Sequence, residues 1–261
     1  MRIGLLGDTH GNHAWIKFAV REFHALGITT VIQVGDLGVS HNVPESRRWD
    51  RTDHYLGKHG ITMLVAPGNH EDYDHIDSLN VGDDGWLHFR PNILLAPRGL
   101  RTTMGGRSFV WLGGAGSVDR TLRLEWENNA EAPRYWWPQE AITDADVART
   151  AAGGLAEVIV AHEAPTRVQT ISSRLRGTGG FHIDDVEYAN QIRAKYMEAF
   201  MAVEPTLALH GHYHFAVNET VDYGSFTTHV FGLANDGQPY STGMLDLGAL
   251  EPSFMGWHVD A

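Results

Sequence analysis

The sequence predicts a mixed α/β fold in one domain over residues 1–261, and three observations lead there. Short apolar β-type runs alternate with amphipathic helical stretches up to about residue 70. The second half changes to hairpin character, so part of its sheet is antiparallel. No internal repeat, low-complexity tract or Pro/Ser-rich linker divides the chain.

The elements follow in order. Ile3–Leu6 is a buried-type strand. Residues 12–26 carry Trp15, Phe18, Ala19, Phe23 and Leu26 at helical spacing, and Gly27 follows as a stop. Thr29–Val34 is β-branched, Pro44–Lys58 is a polar helical stretch, and Ile61–Val65 is apolar again. Strand–helix–strand–helix–strand at these lengths implies parallel strands with right-handed crossovers. From Trp86 to Val118, strand pieces at Ile93–Leu95 and Phe109–Leu112 stand among Pro and Gly. A helix is predicted from about Gln139 to Ala151, then a buried strand at Val158–Ala161. Residues 172–185, with Gly177, Gly179 and Gly180, read as a mobile loop. The next helix, Asp184 to Met201, puts Val186, Ala189, Ile192, Tyr196 and Phe200 on one face. Beyond Leu207–Leu209, Phe215–Val221 faces Ser225–Phe231 across Asp222-Tyr223-Gly224. Met244–Leu247 is a last strand before an aromatic tail.

Composition narrows the function. The chain has 261 residues, 20 Lys+Arg against 32 Asp+Glu, and a formal net charge of −12. That balance argues against coating nucleic acid or anionic membrane through a basic surface. With no Cys, a disulfide framework, a zinc ribbon, a cysteine nucleophile and a thiolate-held cluster are excluded. No apolar run approaches the roughly 20 residues of a membrane span. The first residues read as a buried strand rather than a signal peptide, because Asp8 interrupts the apolar run. The expectation is a cytoplasmic protein with no membrane partner. The 16 His are the unusual number, since imidazole is both a titrating acid/base and the commonest metal ligand.

The chemistry lies where the strands end. Ile3–Leu6 runs into Gly7-Asp8-Thr9-His10-Gly11-Asn12, and Val31–Val34 into Gly35-Asp36. Met63–Val65 runs into Gly68-Asn69-His70-Glu71, Val158–Ala161 into His162-Glu163, and Leu207–Leu209 into His210-Gly211-His212-Tyr213-His214. Ligands of open α/β sheets bind outside the carboxyl ends of strands, so these clusters converge on one rim. Asp, Asn and His without thiolate form an O/N ligand set for Mn, Fe, Zn or a similar divalent ion. The donors exceed what one ion needs and suffice for two ions sharing a carboxylate. Two cations about 3.5–4 Å apart clamp the attacking and leaving oxygens of an in-line displacement at phosphorus and acidify a bridging water. The metals would then supply the positive charge that this acidic chain lacks.

Taken singly, each block has a plainer reading. Gly7-Asp8-Thr9-His10-Gly11 suits a loop with a helix cap, Gly35-Asp36 a turn, Gly68-Asn69-His70-Glu71 a turn before a helix, and His162 a satisfied core histidine. Their order and common placement on strand ends favour a site.

The same residues resemble the calcineurin-like metallophosphoesterases, whose ordered signature is Asp-x-His, Gly-Asp, Gly-Asn-His-Asp/Glu, a lone His and Gly-His-x-His. The matching blocks are Asp8-Thr9-His10, Gly35-Asp36, Gly68-Asn69-His70-Glu71, His162 and Gly211-His212-Tyr213-His214. The resemblance implies two mixed β-sheets packed face to face with flanking helices, a four-layer sandwich. It implies that Asp8, His10 and His214 hold one metal, that Asn69, His162 and His212 hold the other, and that Asp36 bridges them. It also implies that His70 contacts the phosphate or protonates the leaving alkoxide. Many members have a further charged residue shortly after Gly-Asp. Here Leu37, Gly38, Val39 and Ser40 follow, so no side chain of that longer motif is expected to reach the substrate. The run from Gly113 to Arg120, with Trp136-Trp137-Pro138 and Glu140 downstream, resembles small bacterial and phage members.

The expected activity is hydrolysis of small phosphodiesters or monoesters, such as cyclic nucleotides, with two divalent ions (Mn, Fe or Zn) per chain. Asn12, Arg120 and His182 are substrate-binding candidates, and Arg123 is a further one. For the arginines and His182 the alternative is solvated surface or caps for Asp119 and Asp184. Trp136 and Trp137 either stack on a base or pack in the core. A nuclease on the same centre is the alternative. It would need a basic track, for which Arg47-Arg48-Arg51 and Arg174-Arg176 are the clusters at hand. A non-catalytic scaffold on the same fold is the third reading, and retention of every ligand position weighs against it.

Overall fold

The structure is a computed structural model that describes residues 1–40, 43–129, 134–175, 177 and 179–256. It opens with β1 (Arg2–Leu6), α1 (His13–Ala25), β2 (Thr30–Gln33), α2 (Val43–Lys58), β3 (Thr62–Val65) and α3 (Tyr73–Ser78). Then come β4 (Leu87–Arg90), β5 (Ile93–Leu95), β6 (Arg101–Met104), β7 (Arg107–Leu112) and α4 (Arg120–Asn129). A 3-10 turn at Pro138–Glu140 leads to α5 (Asp144–Ala152), β8 (Val158–Ala161), α6 (Gln169–Arg174) and α7 (Ile183–Val203). The described chain ends with β9 (Leu207–His210), β10 (Val217–Asp222), β11 (Thr227–Gly232), β12 (Thr242–Asp246) and β13 (Glu251–Phe254).

The strands form two mixed sheets. The seven-stranded sheet has the order β13-β12-β1-β2-β3-β5-β4, and the six-stranded one β10-β11-β9-β8-β7-β6. In the first, β1, β2, β3 and β5 run parallel, while β12, β13 and β4 are antiparallel to their neighbours. In the second, β7, β8, β9 and β11 run parallel, with β6 and β10 antiparallel at the edges.

Strand residues alternate between two faces, and that alternation builds the layers. Ile3, Leu5, Ile32, Val34 and Leu64 of one sheet meet Phe109, Trp111, Val158, Val160, Leu207 and Phe231 of the other in a single buried cluster. Leu6, Val31, Met63 and Val65 point the opposite way, onto Ile16, Ala19, Val20 and Phe23 of α1 and Trp49 and Leu56 of α2. Val110, Leu112, Ile159, Ala161 and Ala208 pack outward on Ile192, Tyr196, Ala199 and Phe200 of α7. The result is helix–sheet–sheet–helix, with the two sheets face to face as the resemblance implied.

Local chemistry accounts for the element ends. Asn12 caps α1, its side chain accepting from the Trp15 amide. The helix expected over 139–151 is divided: Thr143 and Asp146 form a capping box that starts α5 afresh beyond the 3-10 turn. The expected loop over 172–185 is shorter than read, because α6 extends through Arg174 and His182 caps α7. Arg176 lies outside the described residues, as does Trp257 of the aromatic tail. The sequence expectations do not include β4, β6, β13, α3, α4 or α6. Of these, β13 contains Pro252 and lies at a sheet edge, where a missing N–H is tolerated. Among the described residues, no helix is long and apolar enough to cross a membrane.

Candidate metal centre

The parallel strands bring their carboxyl ends to one rim. Asp8 and His10 follow β1, Asp36 follows β2, Asn69 and His70 follow β3, His162 follows β8, and His212 and His214 follow β9. Thus one sheet supplies the carboxylates, the amide, His10 and His70, and the other supplies the remaining imidazoles. The β1 and β2 ends are tied together directly: the Asp36 carbonyl accepts from the Thr9 and His10 amides at 3.0 and 2.8 Å. His10, Asp36, His212 and His214 all have left-handed backbone, with φ of 45°, 52°, 70° and 58°. Non-glycine residues in that region are sparse and gather at functional sites. Gly68 and Gly211 permit the close approach. A Cβ on Gly68 would fall on the Asp36 carboxylate, and one on Gly211 on Asp8 Oδ1.

Asp36 is 1% exposed and central. Its Oδ2 is 3.4 Å from His10 Nε2, while its Oδ1 is 3.3 Å from His162 Nε2 and accepts from the His70 amide at 2.7 Å. Asp8 is fully buried; its Oδ2 accepts from the His212 amide at 2.9 Å and lies 3.3 Å from His214 Nε2. Its Oδ1 is buried with no hydrogen-bond donor among the described residues, an exception that calls for an explanation in a folded protein. Potential ligand atoms of Asp8, His10, Asp36 and His214 lie within 4.8 Å of one another. An orphaned carboxylate oxygen amid carboxylates and imidazoles fits a divalent cation. On the other side of Asp36, His162 Nε2 is 3.0 Å from Asn69 Oδ1, and the His162 and His212 rings are 5.0 Å apart.

A second tier of residues orients these groups. His162 Nδ1 is 2.8 Å from the Val34 carbonyl, which sets Nε2 toward the centre. Asn69 Nδ2 donates to Ser117 Oγ at 2.9 Å, so its Oδ1 faces His162. The Ser117 hydroxyl donates in turn to Glu140 Oε2 at 2.6 Å, and the Ser117 amide to Oε1 at 2.8 Å. Glu71 accepts backbone amides from Leu37, Gly38, Val39 and Gly68 at 2.7 to 3.3 Å. It locks the Asp36 loop to the Asn69 loop, so the uncharged stretch after Gly35-Asp36 serves the site through its backbone. Asp236 accepts from Asn12 Nδ2 at 2.7 Å, and its other oxygen is 3.9 Å from His10 Nδ1. Arg123 is 3% exposed; it donates to the Asn69 carbonyl at 3.3 Å and lies against both ring nitrogens of His70.

The charges follow from burial and neighbours. Burial works against ionised Asp36, but His162 and His70 outweigh it and hold the carboxyl well below the usual range. For His162, burial opposes charge, and Asp36 and Asp8 lift it to about 10. Burial, then the charge of His162, pushes His212 down to about 3. Burial and Arg123 bring His70 down to about 4 despite Asp36. An imidazole that accepts from a guanidinium is neutral, so the His70–Arg123 contact leads to the same protonation state. Burial also raises Glu140 to about 7, against the hydrogen bonds from Ser117.

The expected substrate contacts are placed differently from the ligands. Asn12 has both polar ends occupied, by the Trp15 amide and Asp236. Arg120 turns to Asp185 of α7 at 3.1 Å and stacks over Tyr188, 4.4 Å from the ring centroid. His182 is exposed and pairs with Asp184 at 3.6 Å. Of the two arginines of α4, Arg123 reaches the centre. Trp137 belongs to the buried cluster under the first sheet, and Trp136 meets Tyr188 edge-on. Ser117 and Glu140 lie in the sequence pattern that begins at Gly113, which gives them no role, and Asp236 lies in no motif. Their contacts span 48, 23 and 224 residues of sequence.

This geometry agrees with what the chain resembles among known proteins. The family described as calcineurin-like phosphoesterase matches residues 1–216, and the chain belongs to that family. Curated proteins gave no match. The fold is similar to that of TT1561 from Thermus thermophilus, with TM-score 0.54 and 13% identity over 98% of each chain. It is also similar to a dimetal phosphatase from Danio rerio, with TM-score 0.52 and 14% identity over 94% of this chain and 91% of the other.

Proposed function

We propose that this chain is a metal-dependent phosphoesterase that hydrolyses small phosphodiesters or monoesters, cyclic nucleotides among them, with two divalent ions (Mn, Fe or Zn). The observation that carries the reading is the place of Asp36. One of its oxygens faces His10 and the other faces His162, as a carboxylate shared by two ions requires. Asp8, His10 and His214 would hold one ion, and Asn69, His162 and His212 the other. When bound, the metals supply Lewis-acid charge and a water acidic enough to act as nucleophile near neutral pH.

The chain's own residues do the rest. Neutral His212 is ready to ligate without losing a proton. The Glu140–Ser117–Asn69 relay keeps the amide oxygen of Asn69, not its NH₂, toward the centre. His70, 36% exposed at its side chain and neutral beside Arg123, has one N–H to offer a phosphoryl oxygen. That favours phosphate contact over a resting imidazolium acid. As water adds to phosphorus, the bond to the leaving oxygen breaks, and that oxygen takes a proton from solvent. Arg123 brings fixed positive charge to the same face.

The test is hydrolysis of bis(p-nitrophenyl) phosphate, p-nitrophenyl phosphate and 2′,3′-cyclic AMP after loading with Mn²⁺, Fe²⁺ or Zn²⁺. Metal-dependent turnover of at least one ester is expected. No turnover of any with any of the metals would overturn the reading. Preferential cleavage of single-stranded DNA, falling steeply with salt, would replace it by the nuclease alternative.

A further inference from the structure

Beside the candidate centre lies a cleft of about 300 Å³ lined by Gly11, Asn12, His13, Lys17, Arg48 and Arg51. That is the small end of the range for ligand sites. Acids outnumber bases 32 to 20 in the chain, yet among the described residues the lining holds three cations and no carboxylate. Arg48 pairs with Glu45 at 2.7 Å, and Glu45 also approaches His13 Nε2 at 3.4 Å. Lys17 and Arg51 have no carboxylate partner among the described residues. Arg48 and Arg51 stand three apart on α2, where like charges are neighbours and destabilise the helix. Glu45 offsets Arg48 alone among the three, and the two remaining cations on one concavity are set up for an anion.

The position supplies the rest. Gly11 and Asn12 immediately follow His10, so the cleft begins one residue from a candidate ligand. Asn12 is held by Asp236, which also approaches His10. The cleft and the candidate ligand His10 thus share one loop, and a substrate bound at the centre would extend another group along that loop.

We propose that this cleft is a subsite for a second phosphate group of the substrate, so that the preferred substrates are small phosphate esters carrying two phosphoryl groups. The proposal rests on the phosphoesterase reading above and names its substrate class. One phosphate matches Lys17 and Arg51, the two cleft cations without a carboxylate partner, with Arg48 beside them. A long strand, bound through a basic track along many phosphates, does not match them or the net charge of −12.

The test compares kcat/KM of the Mn²⁺-loaded protein for the dinucleotide TpT with its 5′-phosphorylated and 3′-phosphorylated forms. One phosphorylated form is expected to be favoured about tenfold through KM, the effect of roughly one charge-assisted hydrogen bond. The Lys17→Gln/Arg51→Gln double variant, altered at a half-buried and an exposed position, should lose that preference. Its turnover of bis(p-nitrophenyl) phosphate, which carries no second phosphate, serves as the reference and should change less than about twofold. Equal kcat/KM for all three dinucleotides would overturn the subsite, as would a preference that survives in the variant. A preference that keeps growing with strand length would assign the cleft to nucleic acid instead. If bis(p-nitrophenyl) phosphate and every dinucleotide are inert, the phosphoesterase reading itself fails.

Discussion

The strand-end cluster and the segment from Ser117 to Glu140 both converge on the candidate metal centre, but in different ways. At the strand ends the donors meet directly: Asp36 approaches His10 at 3.4 Å and His162 at 3.3 Å, and Asp8 approaches His214 at 3.3 Å. In the insert, Ser117, Arg123 and Glu140 act through Asn69 and His70. Each strand end inherits its place from a sheet that forms for reasons of packing, and its donors face the rim because the strands do. The insert has no such frame. Its polar groups count only where they meet a strand-end residue, so removal of one should loosen the centre rather than destroy it.

The largest effect is expected at the centre of the cluster. Asp36→Asn should abolish ester hydrolysis and lower metal content, read by elemental analysis beside a bis(p-nitrophenyl) phosphate assay. A fully active variant with its metal intact would break the strand-end half of the comparison. Next comes His70→Ala, which should retain metal and lose about 10²–10³ in kcat, the usual loss for a donor to transition-state charge. Because His70 is held near 4, no loss of rate with a midpoint between about pH 6 and 7, the ordinary histidine range, should disappear in this variant. Such a limb disappearing would return His70 to the general-acid role.

The insert should give smaller changes. Ser117→Ala and Glu140→Gln should each weaken metal affinity about 10–100-fold, the range for groups behind the ligands, measured by titration with Mn²⁺. Glu140 also makes a prediction about pH. Burial lifts its carboxyl from an ordinary value of 4.5 to about 7. Between those values the folded protein keeps a proton that the unfolded chain has released, so stability falls as pH rises through that window and levels off above it. Metal-free wild type should therefore lose about 1–3 kcal/mol relative to Glu140→Gln across that window, measured by urea unfolding. A flat difference would contradict the buried carboxyl. The smallest effect on activity belongs to Arg120. With its guanidinium on Asp185 and Tyr188, Arg120→Ala should leave kcat/KM within about twofold while costing about 1 kcal/mol of stability.

The same contrast explains what was legible in the sequence. A buried apolar run ending in a polar residue is a local pattern, and every proposed ligand sits in one, all but His162 with a Gly close by. Two sheets in face-to-face contact could be expected from the family resemblance, and the parallel β1, β2 and β3 from the alternation of strands and helices. Edge elements were harder to see, since β6 is half-exposed Arg-Thr-Thr-Met and β13 carries Pro252. Supporting residues were hardest of all. Nothing local distinguishes Asp236, which reaches Asn12 across 224 residues, from any other surface acid. The run Gly113 to Arg120 was recognisable as a pattern, but its use, Ser117 holding the Asn69 amide, needs the β3 and β7 ends side by side. Arg120 and Arg123 look alike in sequence. Only the turn of α4 decides that Arg123 is buried against His70 and Arg120 faces α7.

The central claim is that Asp36 joins two metal sites built from the two sheets. The most direct measurement is metal stoichiometry by inductively coupled plasma mass spectrometry after loading with Mn²⁺ and removal of free ion. Two equivalents per chain in the wild type, falling below one in Asp36→Asn, are predicted. No bound metal, or two equivalents retained by the variant, would contradict the account.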